Sequence, residues 1–236
     1  MINIERSNDG EIVVLRLPNS DMNNAIRWEF EDTCITVSQD SDVRVVILTS
    51  SSPDFVSSAL ENNFGLASSV SLIKQPVLGV IDDSAHGLGL ELLLASDVRI
   101  CASKSTFSMA HVAHGAIPSD GGTQRLPRLV GQGRALELIL TGRVVGAQEA
   151  LEMGMVHQVC DADPLKEAFC IAEKIAGHGP RAAQYLKEAV YTGSDMTLRQ
   201  GMSLEADMSV ILQSTLDRIE GINSFLERRA PNFKGD

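Results

Sequence analysis

Residues 76–126 read PVLGVIDDSAHGLGLELLLASDVRICASKSTFSMAHVAHGAIPSDGGTQRL and carry the strongest structural signals of the chain. An apolar strand at 77–81 runs into a turn that contains Gly87 and Gly89. A helical pattern with Glu91 on leucine-rich turns follows, and then a second strand at 97–102. Backbone N–H groups at the start of a helix bind anions, and beside titratable side chains they can stabilise an oxyanion. The stretch therefore predicts an enzyme that acts on a carbonyl group.

The flanking sequence alternates strands with helices and then becomes helical. Strands are predicted at 3–6, 12–17, 43–48, 77–81, 98–102 and 155–159, and helices at 24–39, 134–140 and 147–153. Beyond Pro164 the predicted helices are 165–175, 182–191, 198–212 and 215–228. Strands that alternate with helices favour an α/β fold with buried parallel strands.

The composition narrows the class of protein. The chain has 236 residues, 44% apolar and 22% charged, with a formal net charge of −11, which argues against general nucleic-acid binding. Its four cysteines have no CxxC spacing, and no cluster has the spacing of a zinc site, so no metal is expected. We see no signal peptide and no bilayer-spanning stretch, and therefore expect a cytoplasmic protein with no membrane partner.

Several segments in order resemble the crotonase superfamily, also called the enoyl-CoA hydratase/isomerase family. They are VRVVILTS (43–50), KQPVLGVIDDSAHGLGLELLLASDVRICA (74–102), HGAIPSDGGTQRLPRLVG (114–131), LELILTGRVVGAQEALEMGMVHQV (136–159) and FLERRAPNFKGD (225–236). The resemblance implies an α/β, crotonase-like spiral of ββα repeats over residues 1–177. It also implies a C-terminal helical trimerisation region over 178–236, assembly into trimers or dimers of trimers, and an acyl-CoA substrate with no separate cofactor.

The resemblance also implies site residues. The two backbone N–H groups that hold the thioester enolate match Ser57 and Leu88, and the first catalytic glutamate matches Glu91. Further contacts to the substrate are expected at Ala59, His86, Gly87, Phe233 and Lys234. The last two match family positions that touch CoA across the trimer interface.

Three departures from the family pattern concern the reaction and the substrate. The family's hydratases and isomerases keep a second glutamate at the position that holds His111 here. The segment LPNSDMNNA (17–25) has no lysine or arginine where the family usually places a base near the CoA phosphates. Residues 61–75 are about half the usual length, which predicts an open pocket or one that a neighbouring subunit completes.

These departures leave three hypotheses open. In the first, a hydratase-like or isomerase-like site uses Glu91 as its main acid–base group and the N–H groups of Ser57 and Leu88 as donors. Water could be held between Glu91 and His111, since imidazole titrates near neutrality. In the second, the chain is a C–C bond hydrolase for β-diketones or β-ketoacyl substrates, in which Asp120 orients His111 as the general base or nucleophile. The spacing of His111 and Asp120 resembles that of the superfamily's β-diketone hydrolases. In the third, the chain is a non-catalytic trimer that binds acyl-CoA, and Asp120 merely caps a turn.

Overall fold

Two sheets organise the structure, a computed structural model that describes residues 2–18, 24–52, 54–55 and 65–236. The strands are β1 (Asn3–Ser7), β2 (Ile12–Leu17), β3 (Val45–Ser50), β4 (Val77–Ile81), β5 (Ser84–His86), β6 (Val98–Ala102), β7 (Thr106–Ser108), β8 (Val145–Gly146) and β9 (Gln158–Cys160). The larger sheet has the order β1-β2-β3-β4-β6-β9 and is parallel except for β1. The smaller sheet has the order β5-β7-β8.

Helices cover both faces of the larger sheet and make up the C-terminal part. They are α1 (Asn24–Gln39), α2 (Leu66–Ser71), α3 (Leu88–Leu93), α4 (Gly122–Val130), α5 (Gln132–Thr141), α6 (Ala147–Glu152), α7 (Pro164–Ala176), α8 (Pro180–Ser194), α9 (Leu198–Gln213) and α10 (Leu216–Glu227). Short 3₁₀ turns occupy Asn8–Gly10 and His111–His114. No helix in the described part of the chain is long and apolar enough to cross a membrane.

Each face of the larger sheet is covered by a hydrophobic core, and the side chains of the central strands alternate between the two cores. In β2, Val13 and Leu15 belong to the larger core, and Ile12 and Val14 to the smaller core beneath α7. Helix α7 contributes alanines at every fourth position to that smaller core, which lets its axis approach the strands closely. Burial on both faces explains why these strands read as continuous apolar runs.

Most predicted elements are present, with shifts at their ends. The predicted strands β1 and β2 form a hairpin that pairs Asn3 with Arg16, and α1 has the predicted bounds. The strand predicted at 155–159 is shorter and later, at Gln158–Cys160. Helix α4 was not predicted, because its sequence is polar and contains Pro127. The predicted division at residue 177 remains a prediction.

The last residues of the chain are bound to its own helices and core. The Asp217 carboxylate accepts hydrogen bonds from Lys234 N at 2.7 Å and Gly235 N at 2.9 Å. Arg44 donates to Phe233 O at 2.7 Å and to Ala176 O at 2.8 Å. The tail that carries Phe233 and Lys234 therefore has a defined position.

Candidate active site

The glycine turn between β5 and α3 presents backbone N–H groups at one edge of the site. Gly87 has φ of 53° and ψ of −118°, a conformation that suits glycine. Its N–H donates to Ser108 O at 2.9 Å, and its carbonyl accepts from Glu91 N at 3.1 Å. The N–H of Leu88, in the first turn of α3, has no acceptor among the described residues. This N–H therefore remains able to donate to a ligand.

Glu91 lies one turn into α3, where its carboxylate is completely buried. Oε1 accepts from Asp120 N at 2.7 Å and from Gly122 N at 2.8 Å, and Oε2 accepts from Ser119 N at 3.4 Å. An ionised carboxylate is an acceptor only, so three donated N–H groups match that form. The loop at 119–122 thus fixes both oxygens of this side chain.

Gly122 permits this close approach. A Cβ built at that position would lie 2.9 Å from Met109 Sδ and 3.0 Å from Glu91 Cγ. Any side chain at residue 122 would therefore push Met109 and Glu91 out of their positions.

His111 packs against both the carboxylate and the glycine turn. Its Nε2 lies 3.5 Å from Glu91 Oε2, and its ring lies 3.8 Å from the point where a Cβ of Gly87 would be. The side chain is 10% exposed, and Nδ1 is buried without a hydrogen-bond partner among the described residues. Desolvation lowers the pKa of His111, while Glu91 acts to raise it and His114 to lower it further. The neutral imidazole is therefore favoured near neutral pH.

Asp120 does not orient His111, so the predicted His–Asp dyad needs correction. Asp120 Oδ2 accepts from Ala67 N at 2.7 Å, and Oδ1 accepts from Gly65 N at 3.2 Å and lies 3.5 Å from Ser68 Oγ. The buried carboxylate thus satisfies N–H groups at the start of α2. The backbone turn at 120–122 directs the N–H groups of the loop to Glu91 and the Asp120 side chain to α2, away from His111. The carboxylate beside His111 is that of Glu91.

The other predicted contacts lie apart from this pair. His86 precedes the glycine turn, and its two ring nitrogens lie 2.6 Å from Ser108 Oγ and 3.3 Å from Thr106 Oγ1. Phe233 packs near Gly221, and Lys234 is exposed on the C-terminal tail. Ser57 and Ala59 lie outside the described residues. The predicted roles of all five stay predictions.

Sequence reasoning missed two features of the site. The main-chain N–H groups of 119–122 bind Glu91, and the signal for this was the pair Gly121-Gly122, because a close contact to backbone requires glycine. The second feature is Arg27, whose Nε is buried without a hydrogen-bond partner among the described residues. No group of three or more metal-binding side chains occurs among the residues the structure describes.

The fold and the buried Glu91 beside a glycine turn define an enzyme of the crotonase class. The family model described as enoyl-CoA hydratase/isomerase matches residues 55–236. The chain therefore belongs to the enoyl-CoA hydratase/isomerase family, whose members are lyase-type and isomerase-type enzymes. The predicted superfamily and fold class are confirmed.

Individual relatives agree with this assignment. The 2,3-dehydroadipyl-CoA hydratase of Escherichia coli (strain K12) is 30% identical over 229 residues, 91% of this chain and 90% of that protein. The mitochondrial enoyl-CoA hydratase of Pongo abelii is 39% identical over 163 residues, which span 69% of this chain and 56% of that relative. A solved structure of enoyl-CoA hydratase from Bacillus anthracis superposes with a TM-score of 0.92 at 32% identity, covering 100% of this chain and 99% of the other.

Proposed function

We propose that this chain adds water to an α,β-unsaturated acyl-CoA thioester through an enolate, with Glu91 and His111 in place of the family's two glutamates. One observation carries the proposal: the buried Glu91 carboxylate lies 3.5 Å from His111 Nε2, and the His111 ring packs against the glycine turn that ends at Leu88. Family membership supports an acyl-CoA substrate. The reaction needs no cofactor beyond the CoA of the substrate.

In the proposed first step, His111 is neutral and carries its proton on Nε2, facing Glu91. Nδ1 is then the acceptor, and because it is buried without a partner among the described residues, the ring must turn or its cover must move to admit water. Nδ1 takes a proton from water while the water oxygen bonds to the β-carbon of the thioester. The displaced π electrons move to the thioester oxygen, and the Leu88 N–H stabilises the resulting charge. Ser57, outside the described residues, would supply the second N–H.

In the second step, the imidazolium returns the proton to the α-carbon and the enolate collapses. The product is a 3-hydroxyacyl thioester, so one water molecule has been added and both residues are restored. Glu91 acts as a fixed anion, because its oxygens already accept three backbone N–H groups. It orients the imidazole and stabilises the imidazolium, as a carboxylate does beside any catalytic histidine.

The fall in ultraviolet absorbance of an enoyl-CoA tests this mechanism. His111→Ala should lower kcat/KM by about 10²–10⁴, the usual contribution of acid–base catalysis. Glu91→Gln should also lower it, because the imidazolium loses the anion that orients and stabilises it. His111→Glu, which restores two carboxylates, should keep much more activity than His111→Ala. Glu152→Gln, an exposed change on α6, is the matched control. Acyl-CoA binding without turnover, together with indifference to Glu91→Gln and His111→Ala, would instead identify the non-catalytic trimer.

A C–C bond hydrolase is a second candidate, because a buried imidazole–carboxylate pair also activates water toward a ketone carbonyl. With Asp120 bound to α2, the orienting carboxylate in such a hydrolase would be Glu91. Mass spectrometry distinguishes the two reactions. Hydration adds the mass of one water to an intact thioester, whereas hydrolysis of a β-diketone or β-ketoacyl substrate gives two fragments.

We propose further that the C-terminal helices assemble the chain into trimers. Large apolar side chains on α8–α10 are exposed in the single chain, including Leu186, Val190, Leu198, Met202, Val210, Phe225 and Leu226. Surfaces of this kind are typical of obligate interfaces. Sedimentation equilibrium should give three times the chain mass, or six times for a dimer of trimers. In that assembly Phe233 and Lys234 would contact the CoA of a neighbouring subunit.

A further inference from the structure

Arg27, in the first turn of α1, is a partly buried cation without a partner among the residues that the structure describes. Its Nε is buried, and its guanidinium makes no hydrogen bond or ion pair with any described residue. The other arginines of the described part that are not exposed all donate to a carboxylate, carbonyl or hydroxyl: Arg16, Arg44, Arg99, Arg125 and Arg143.

Two physical costs make this placement unfavourable in the unliganded chain. Burying a polar N–H without an acceptor loses its hydration, and the loss is larger for a charged group. In addition, the first turn of a helix is the positive end of its dipole, so a cation there is repelled. An anion bound at Arg27 would offset both costs, because it would accept from the guanidinium and neutralise its charge.

The position of Arg27 relates it to the active site. Arg27 Nη2 lies 3.6 Å from the point where a Cβ of Gly65 would be. Gly65 N donates to Asp120 Oδ1 at 3.2 Å, and Asp120 N donates to Glu91 Oε1 at 2.7 Å. The contacts Arg27–Gly65–Asp120–Glu91 therefore connect the guanidinium to the catalytic carboxylate through two intervening residues.

We infer that Arg27 binds an anionic oxygen group of the substrate, either a phosphate of CoA or a carboxylate on the acyl chain. The inference rests on the proposed function for the identity of the substrate. Guanidinium groups match both anions through paired N–H donors. Because 17–25 contains no lysine or arginine, Arg27 is the first basic residue after Arg16.

Calorimetric titration with saturated thioesters tests the inference without turnover, because these ligands have no double bond to hydrate. Hexanoyl-CoA, adipoyl-CoA and hexanoyl-pantetheine are titrated into the wild type, Arg27→Gln and Arg27→Lys. The matched control is Arg134→Gln, an exposed arginine in the first turn of α5.

A phosphate contact predicts that Arg27→Gln weakens hexanoyl-CoA and adipoyl-CoA alike by about tenfold, and leaves hexanoyl-pantetheine unchanged. A carboxylate contact predicts the same loss for adipoyl-CoA alone. In both cases Arg27→Lys keeps part of the affinity, and Arg134→Gln has no effect.

Two results would overturn the inference. If the affinity of Arg27→Gln for each of the three ligands stays within about twofold of the wild-type affinity, the inference is rejected and the proposed function is not affected. If Arg27→Gln lowered the melting temperature of the unliganded protein but Arg134→Gln did not, and affinity was unchanged, Arg27 would be a structural residue. Failure of the wild type to bind any of the thioesters would contradict the proposed function itself.

Discussion

The active site buries a charged side chain, whereas the C-terminal helices expose large apolar side chains. Glu91 is a charged residue with 0% exposure, whereas Phe225 on α10 is a large aromatic residue with 82% exposure. The buried carboxylate is satisfied within the chain by backbone N–H groups and His111. The exposed apolar residues of α8–α10 have no comparable cover in the single chain. The Glu91 carboxylate therefore has its partners within the chain, whereas the apolar face of α8–α10 is left exposed.

The largest effect is expected where the polar site is packed most tightly. Gly122→Ala would place a Cβ within 3.0 Å of Met109 and Glu91. We expect about 1–3 kcal/mol less free energy of unfolding from overpacking, and a fall in kcat/KM of more than about tenfold because Glu91 moves. Chemical denaturation and the enoyl-CoA assay measure the two effects.

Gly133→Ala on α5 is the control for that change, since a Cβ there meets nothing within 4 Å. In a helix, alanine should raise stability by about 0.5–1 kcal/mol and leave activity unchanged. If both alanine variants behave alike, the close packing around Glu91 does not matter to its function.

The exposed face gives the second prediction. Phe225→Asp should dissociate the trimer, because a charge would be buried at the interface, while the fold of each chain is retained. Sedimentation velocity and far-ultraviolet circular dichroism at the same concentration separate assembly from folding. Lys166→Asp, a charge reversal on α7, is the control and should leave the trimer intact. A wild type that sediments as a monomer would show that this apolar face serves another purpose.

Sequence reasoning located the residues of the site better than their pairings. Glu91 and the glycine turn follow from local pattern, because the apolar strand, the turn and the helix are adjacent in the chain. The partner of His111 does not follow from local pattern, because the path of the 3₁₀ turn that carries His111 decides which carboxylate the imidazole contacts. Spacing favoured Asp120, but tertiary packing gave that side chain to α2. Arg27 was missed because its meaning depends on the absence of a partner, which only the fold shows.

One buried aspartate in each region allows a further comparison, with smaller expected effects. Asp120 binds N–H groups of α2 in the core, and Asp217 binds the tail at Lys234 and Gly235. Asp120→Asn should lower the free energy of unfolding by about 1–3 kcal/mol, because a carboxamide cannot accept at both positions. Asp217→Asn should cost less than about 1 kcal/mol, since a chain terminus can detach without exposing the core. Denaturant titration at one protein concentration checks both values, and an equal loss would mean that the tail is an integral part of the fold.

The smallest effect concerns pH and two imidazoles, His111 and His157. Desolvation lowers the pKa of His111, and partial desolvation together with the charge of Arg99 lowers that of His157, far along the chain from the site. For each, the unfolded chain takes up a proton first, near pH 6.5. The stability due to the neutral ring is therefore complete above that pH and is lost as pH falls toward the folded-state pKa.

Activity should distinguish these two histidines where stability does not. If His111 Nδ1 accepts the proton from water, kcat/KM should fall on the acid side with a midpoint below the ordinary histidine value, because protonation removes the base. His157→Gln should flatten part of the stability profile and leave that midpoint in place. His111→Glu should move the midpoint, because a carboxylate then titrates in its stead. An unchanged acid limb in His111→Glu would assign the proton transfer to another group, and the buried Glu91 would be the first to examine.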